Sequence, residues 1–257
     1  MKVTVCQLRN DPQHLEVDWN LLVAHANRCG SEMVLLPEMP FYPWPAAVRP
    51  CDAAVWTASV AAHERWEQRF EALAPAAVLG TRPVVQEGKR YNEGFLWDAR
   101  DGYRSVHTKC YLPDEEGFWE ASWYARGPRE FLPAAYNGLR IGFLICTEVW
   151  FAEHAREYAA AGVHLVVCPR ATPAPSADKW LAGGRTAAVV SGAFCLSSCI
   201  GGTDSRGMHW AGKAWVVEPE EGQVLATTCD TQPFITVDID PAVAERAKLT
   251  YPRYVKR

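Results

Sequence analysis

An α/β fold on a mixed β-sheet is predicted for this chain by three observations. Short apolar runs of strand length recur along it, amphipathic stretches of helical spacing alternate with several of them, and turn residues join two strand pairs as hairpins. At 257 residues, with 49% apolar and 22% charged residues, the chain is long enough and balanced enough to bury a large core. No linker, repeat or low-complexity tract divides it. Residues 1–257 are therefore expected to form a single domain, with a short C-terminal tail from about residue 241.

The elements follow in order. Val3–Leu8 alternates as a half-buried strand, and amphipathic spacing over Asp18–Asn27 predicts a helix. Met33–Leu36 is an apolar strand running into Pro37-Glu38. Helical spacing returns over Val55–Leu73. Strands Ala77–Gly80, Glu93–Trp97 and Ser105–Lys109 come next, the last two joined at Arg100-Asp101-Gly102. Arg140–Ile145 is a short buried strand ending at Cys146, and Thr147-Glu148 leads into a helix over Ala152–Ala161. After strand Leu165–Cys168 and helix Lys179–Gly192 come strands Ala193–Ser198, Ala214–Glu218 and Phe234–Ile239, with turn punctuation at Glu220-Glu221-Gly222.

Composition excludes several classes. A formal net charge of −4 leaves no basic footprint for nucleic acid. No apolar run reaches the length of a membrane span, and the start, MKVTVCQL, has no secretory core, so a cytoplasmic protein is expected. The nine cysteines are odd in number and scattered, with no C-x-x-C pair and no two close pairs of zinc ligands. Reduced thiols and no metal are expected.

Three strands end on isolated reactive residues: Glu38, Lys109 and Cys146. A cysteine at a strand-to-helix junction lies near backbone N–H groups that favour a thiolate and an adjacent oxyanion. A carboxylate of raised pKa can serve as its base, and an ammonium can stabilise a tetrahedral oxyanion. Aromatic clusters follow each strand end: Phe41, Tyr42 and Trp44; Phe118, Trp119, Trp123 and Tyr124; Trp150 and Phe151. Strand ends are where α/β proteins keep ligand sites.

These blocks, in this order, resemble the nitrilase (carbon–nitrogen hydrolase) superfamily, its amidase-like branch, over nearly the whole chain. LLPEMPFYPW carries Glu38, Gly80-Thr81 and Tyr91-Asn92 match a second block, KCYLPDEEGFWE carries Lys109, and IGFLICTEVWFAEHAR carries Cys146. The resemblance implies a four-layer αββα sandwich with mixed β-sheets, no metal or organic cofactor, and a homodimer or larger homo-oligomer. It implies Cys146 as nucleophile, Glu38 as general base and acid, Lys109 as electrostatic stabiliser and the Thr147 N–H as oxyanion donor. Glu120 fits a second active-site glutamate, because Trp123, Tyr124 and Gly127 follow it at the family's distance; Glu116 is the rival.

The implied reaction is hydrolysis of a small amide to acid and ammonia through a Cys146 thioester. Relatives that cleave N-carbamoyl amino acids place arginines just beyond the cysteine, where this chain has Val149 and Trp150. A neutral or aromatic-tailed amide is therefore expected, with Arg170 as a candidate cation should the substrate carry a carboxylate. Tyr42, Trp119, Trp150 and Phe151 are candidate pocket walls, with core packing as the alternative. Other readings are an N-carbamoyl hydrolase or nitrilase of the same superfamily, acyl transfer to another acceptor, a papain-type Cys-His hydrolase, and a non-catalytic binding or scaffold relative.

Overall fold

Alternation along the strands decides the architecture. In the computed structural model, which describes residues 1–255, successive residues of each central strand face different cores. Val3 and Val5 of β1 (Lys2–Leu8) and Met33 and Leu35 of β2 (Met33–Leu35) face one core; Cys6, Leu8 and Val34 face another. Side chains two apart share a face of a strand, so a strand apolar at every position is buried on both sides.

The strands form two half-sheets. One runs β5–β4–β3–β2–β1, with β12 (Phe234–Asp238) antiparallel on the other side of β1. It includes β3 (Ala77–Gln86), β4 (Lys89–Asp98) and β5 (Gly102–Thr108), a meander of two hairpins. The other runs β6–β7–β8–β9–β10–β11: β6 (Ala134–Tyr136), β7 (Leu139–Phe143), β8 (Leu165–Arg170), β9 (Phe194–Ile200), β10 (Trp215–Val217) and β11 (Val224–Thr227). Two residue pairs, Gln7↔Cys199 and Leu8↔Ile200, join β1 to β9. The half-sheets pack face to face over Val3, Leu35, Leu79, Phe143, Leu165 and Leu196. Helix α1 (Pro12–Cys29) covers the outer face of the first through Leu15, Trp19 and Leu22. Helices α4 (Ala152–Ala160) and α5 (Ala177–Ser191) cover the second through Tyr158, Ala187 and Ala188. The result is the four-layer αββα sandwich with mixed sheets.

Several boundaries differ from expectation, each for a local reason. Helix α1 begins six residues before Asp18 because Asp11 caps it, accepting from the N–H groups of Gln13 and His14, with Pro12 at its first position. Helix α2 (Ala53–Glu67) starts under the Asp52 cap, and a separate 3₁₀ turn, Phe70–Leu73, completes the expected Val55–Leu73 stretch. Strand β7 stops at Phe143, and a 3₁₀ turn, Cys146–Trp150, precedes α4. The tail expected from about residue 241 instead carries α6 (Pro241–Ala247), which buries Ala244 and Ala247. Residues 256 and 257 of the expected domain lie outside the described residues. Among those described, no helix is long and apolar enough to cross a membrane.

Parallel strands β1, β2, β8 and β9 bring their carboxyl ends to one rim. An aromatic cluster of Trp44, Trp56, Trp123, Tyr124 and Trp210 covers that rim. The adjoining strand β7 is held by close packing: a Cβ on Gly142 would lie 2.5 Å from the Tyr158 ring. The Tyr158 hydroxyl also donates to the Phe143 carbonyl at 2.8 Å. Gly142→Ala should therefore cost about 1–3 kcal/mol of stability, read from urea unfolding; an unchanged midpoint would contradict this packing.

Candidate active site

The site is assembled from strand ends that the two half-sheets aim at one point. Beyond β2 the chain turns at Met39 (φ 41°), whose N–H donates to Thr81 Oγ1 at 2.9 Å. This turn buries Glu38 completely. The Glu38 carboxylate accepts from three donors: Asn92 Nδ2 (2.8 Å) and Lys109 Nζ (2.7 Å) on Oε1, and the Ala171 N–H (3.2 Å) on Oε2. Thr81 and Asn92, to which the sequence motifs assign no role, thus hold the glutamate in place.

Lys109 follows β5, anchored through its N–H to the Asn92 carbonyl (2.9 Å). The Gly127 N–H reaches the Lys109 carbonyl at 2.9 Å, and a Cβ on Gly127 would clash with the Thr108 backbone. Only glycine permits that approach. The buried ammonium lies between two carboxylates, with Glu120 Oε2 at 2.7 Å and Glu38 Oε1 at 2.7 Å. Tyr124 donates its hydroxyl to Glu120 Oε2 from the far side. Glu120, on the short helix α3 (Glu120–Trp123), is therefore the second glutamate of the cluster. Glu116 is exposed and lines a separate cavity beside Gly117, Arg206 and Trp210.

Cys146 heads the 3₁₀ turn with φ 47°, a left-handed conformation that costs a non-glycine residue about 1–3 kcal/mol. It lines a cavity of about 320 Å³ together with Glu120, Thr147, Phe118, Trp150, Trp180, Thr172, Glu115 and Lys179. Burial pushes the Cys146 thiol well above its ordinary range, and the Glu38 charge adds to this against the pull of Lys109. Burial thus favours the thiol, and desolvation outweighs the pull of the backbone N–H groups in the short 3₁₀ turn. Burial alone would lower the Lys109 ammonium, but the charges of Glu120 and Glu38 reverse this and hold it above the usual lysine value. Burial, with repulsion from Glu38, raises Glu120 to about 7 despite Lys109.

Of the expected pocket walls, Trp150 lines the cavity, as does Thr147, the expected oxyanion donor. Trp119 turns away beneath Arg49, whose guanidinium lies 5.0 Å from its ring centroid, and its neighbour Phe118 takes the wall. Phe151 stacks on Tyr111 at 3.5 Å, and Tyr42 is half-buried outside the lining residues. Arg170 is not a substrate cation. Its guanidinium is fully buried, bonded to Ser197 Oγ and Thr172 Oγ1 (both 2.7 Å) and to the Lys213 carbonyl, and it lies over Trp215. The cation at the cavity is Lys179, missed because it lies on α5, 33 residues beyond the cysteine. Its ammonium lies 6.0 Å from the Trp150 ring centroid, while neighbouring Asp178 pairs with Lys213 at 2.9 Å. All nine cysteines are free, and among the described residues no group of three or more His, Cys, Asp or Glu side chains is arranged to hold a metal ion.

The Carbon-nitrogen hydrolase family profile matches residues 2–249. A Schizosaccharomyces pombe protein described as a hydrolase is 26% identical over 244 residues, covering 92% of this chain and 75% of its own. The chloroplastic omega-amidase of Arabidopsis thaliana is 27% identical over 87% of this chain, and the aligned part is 62% of that protein, under two thirds of its length. Among solved structures, a carbon–nitrogen hydrolase from Helicobacter pylori G27 superposes with a TM-score of 0.88 at 19% identity, covering 100% of this chain and 95% of its own.

The charge arrangement predicts a pH dependence. As pH rises through about 7, Glu120 ionises and adds the second carboxylate charge around Lys109. The rate at which iodoacetamide alkylates Cys146 should change with a midpoint near 7, and Glu120→Gln should abolish that limb. An identical limb in the variant would contradict the assignment.

Proposed function

Because the chain belongs to the carbon–nitrogen hydrolase family, we propose that it hydrolyses the C–N bond of a small amide, releasing an acid and ammonia. The observation that supports this is one buried charge cluster, Glu38–Lys109–Glu120, beside a cavity of about 320 Å³ that Cys146 lines. Glu38 takes the Cys146 proton as sulfur adds to the amide carbon, and Lys109 with the Thr147 N–H bears the oxyanion. Collapse of the tetrahedral intermediate breaks the C–N bond, and Glu38 passes its proton to the departing ammonia. Water, deprotonated by Glu38, then attacks the thioester; the acid leaves and the thiol re-forms. Glu120, bonded to Lys109 opposite Glu38, holds the ammonium in place.

The cavity volume and the walls of Phe118, Trp150 and Trp180 suit a short, flat acyl group. A second reading, cleavage of an N-carbamoyl compound bearing a carboxylate, is favoured by Lys179 at the cavity. The reading carries with it a cytoplasmic enzyme that keeps its thiols reduced and a homodimer or larger homo-oligomer. Exposed Leu249, Tyr251 and Tyr254 are the support for self-association.

Intact-protein mass spectrometry after brief mixing with primary amides, N-carbamoyl compounds and nitriles, with ammonia assayed in parallel, tests the function. Wild type should gain an acyl mass and release ammonia with at least one amide, and Cys146→Ala should do neither. A persistent adduct in Cys146→Ala, or ammonia release that survives it, would refute the thioester route. Lys179→Met separates the two readings. It should raise KM by about 10-fold for carboxylate-tailed substrates and leave neutral amides unchanged if the cation is used.

A further inference from the structure

Glu148 is absent from the cavity lining, yet it holds the backbone on both sides of the site. Its side chain is completely buried beside His107, which is 3% exposed. Oε2 accepts from the Ile145 N–H at 2.8 Å, the residue before Cys146. Oε1 accepts from the Cys110 N–H at 2.7 Å, the residue after Lys109. His107, two residues before Lys109, completes the set with Nε2 2.8 Å from Oε2.

We propose that Glu148, with His107, is the positioning residue that sets the Cys146 sulfur against the Lys109 ammonium. The inference rests on the amide-hydrolase reading of the same site. Cys146 and Lys109 come from different half-sheets, β7 and β5, which meet face to face through apolar contacts. Apolar packing is not directional, so it leaves the relative placement of the two loops loose. One carboxylate bonded to both loops removes that freedom. It also helps hold the left-handed Cys146 backbone, which persists only where the surroundings over-determine it.

The group must be a carboxylate because it faces three donors and must accept with both oxygens. Glutamine has one oxygen, so its amide would face either Ile145 or Cys110 with N–H against N–H. The histidine is fixed in turn. Its ring lies 4.9 Å from that of Phe131, and a Cβ on the adjacent Gly94 would come within 3.4 Å of the His107 Cβ. No substrate atom is needed for this grip, so its loss should act on the reacting geometry more than on binding. A displacement of about 1 Å at a reacting atom is enough to cost about 10²-fold in rate.

The experiment compares Glu148→Gln, His107→Gln and His107→Phe in the full chain, reading single-turnover acylation by an amide that acylates wild type, KM, and circular dichroism of the folded protein. Glu148→Gln should slow acylation by about 10²-fold while KM moves by less than about 3-fold. His107→Gln, which keeps an N–H donor towards Glu148, should retain most of the rate that His107→Phe loses. A folded Glu148→Gln that acylates at the wild-type rate would overturn the proposal, as would equal rates for the two His107 variants. If Glu148→Gln does not fold, the His107 pair decides. If wild type acylates with no amide, the function is refuted instead, and iodoacetamide alkylation of Cys146 in the same variants still tests the brace.

Discussion

Everything around the site answers to one buried charge, the Lys109 ammonium between Glu38 and Glu120. Burying an ammonium is costly unless carboxylates and hydrogen bonds replace its water. The replacements come from distant parts of the chain: β2 delivers Glu38, α3 delivers Glu120, and Asn92 on β4 and Tyr124 hold the carboxylates. The aromatic cluster of Trp44, Trp56, Trp123, Tyr124 and Trp210 covers the rim around them. Low dielectric makes each of these charges act more strongly on Cys146 than it would in water.

That environment also sets the resting state of the nucleophile. Desolvation keeps the Cys146 proton on sulfur, so the thiol has to lose it as it attacks. A carboxylate already held by Asn92, Lys109 and Ala171 is the acceptor at hand. Reactivity then belongs to the cluster and to its placement relative to sulfur, which is why bonds that pin the Ile145–Cys146 and Lys109–Cys110 segments carry mechanistic weight.

Much of this was legible in the sequence. Apolar runs ending in a single reactive residue located β2, β5 and β7 and the convergence of Glu38, Lys109 and Cys146, because strand ends are coded locally. Strands β6 and β11 are weakly marked in the sequence, since they are three and four residues long and only partly buried. Helices α1 and α2 start earlier than apolar spacing suggests because Asp11 and Asp52 cap them. Pocket walls were the hardest to read. Neighbours such as Phe118 and Trp119 point different ways, and composition does not say which faces the cavity. Arg170 looked available at a strand end, but its partners Ser197, Thr172 and Lys213 are contributed by other strands and loops. Lys179 joins Cys146 only through the packing of α5.

The most direct test of the account is the stability of Lys109→Met relative to wild type, measured by urea unfolding at pH 5 and at pH 9. Removing the ammonium leaves Glu38 and Glu120 facing each other in a buried site. At pH 9 the variant should lose about 3–5 kcal/mol, because the buried carboxylate pair then either holds unpaired charge or takes up a proton from a solution poor in them. The deficit should shrink at pH 5, as protonation relieves the repulsion. A deficit of the same size at both pH values, or none at either, would contradict the claim that this one buried charge organises the site.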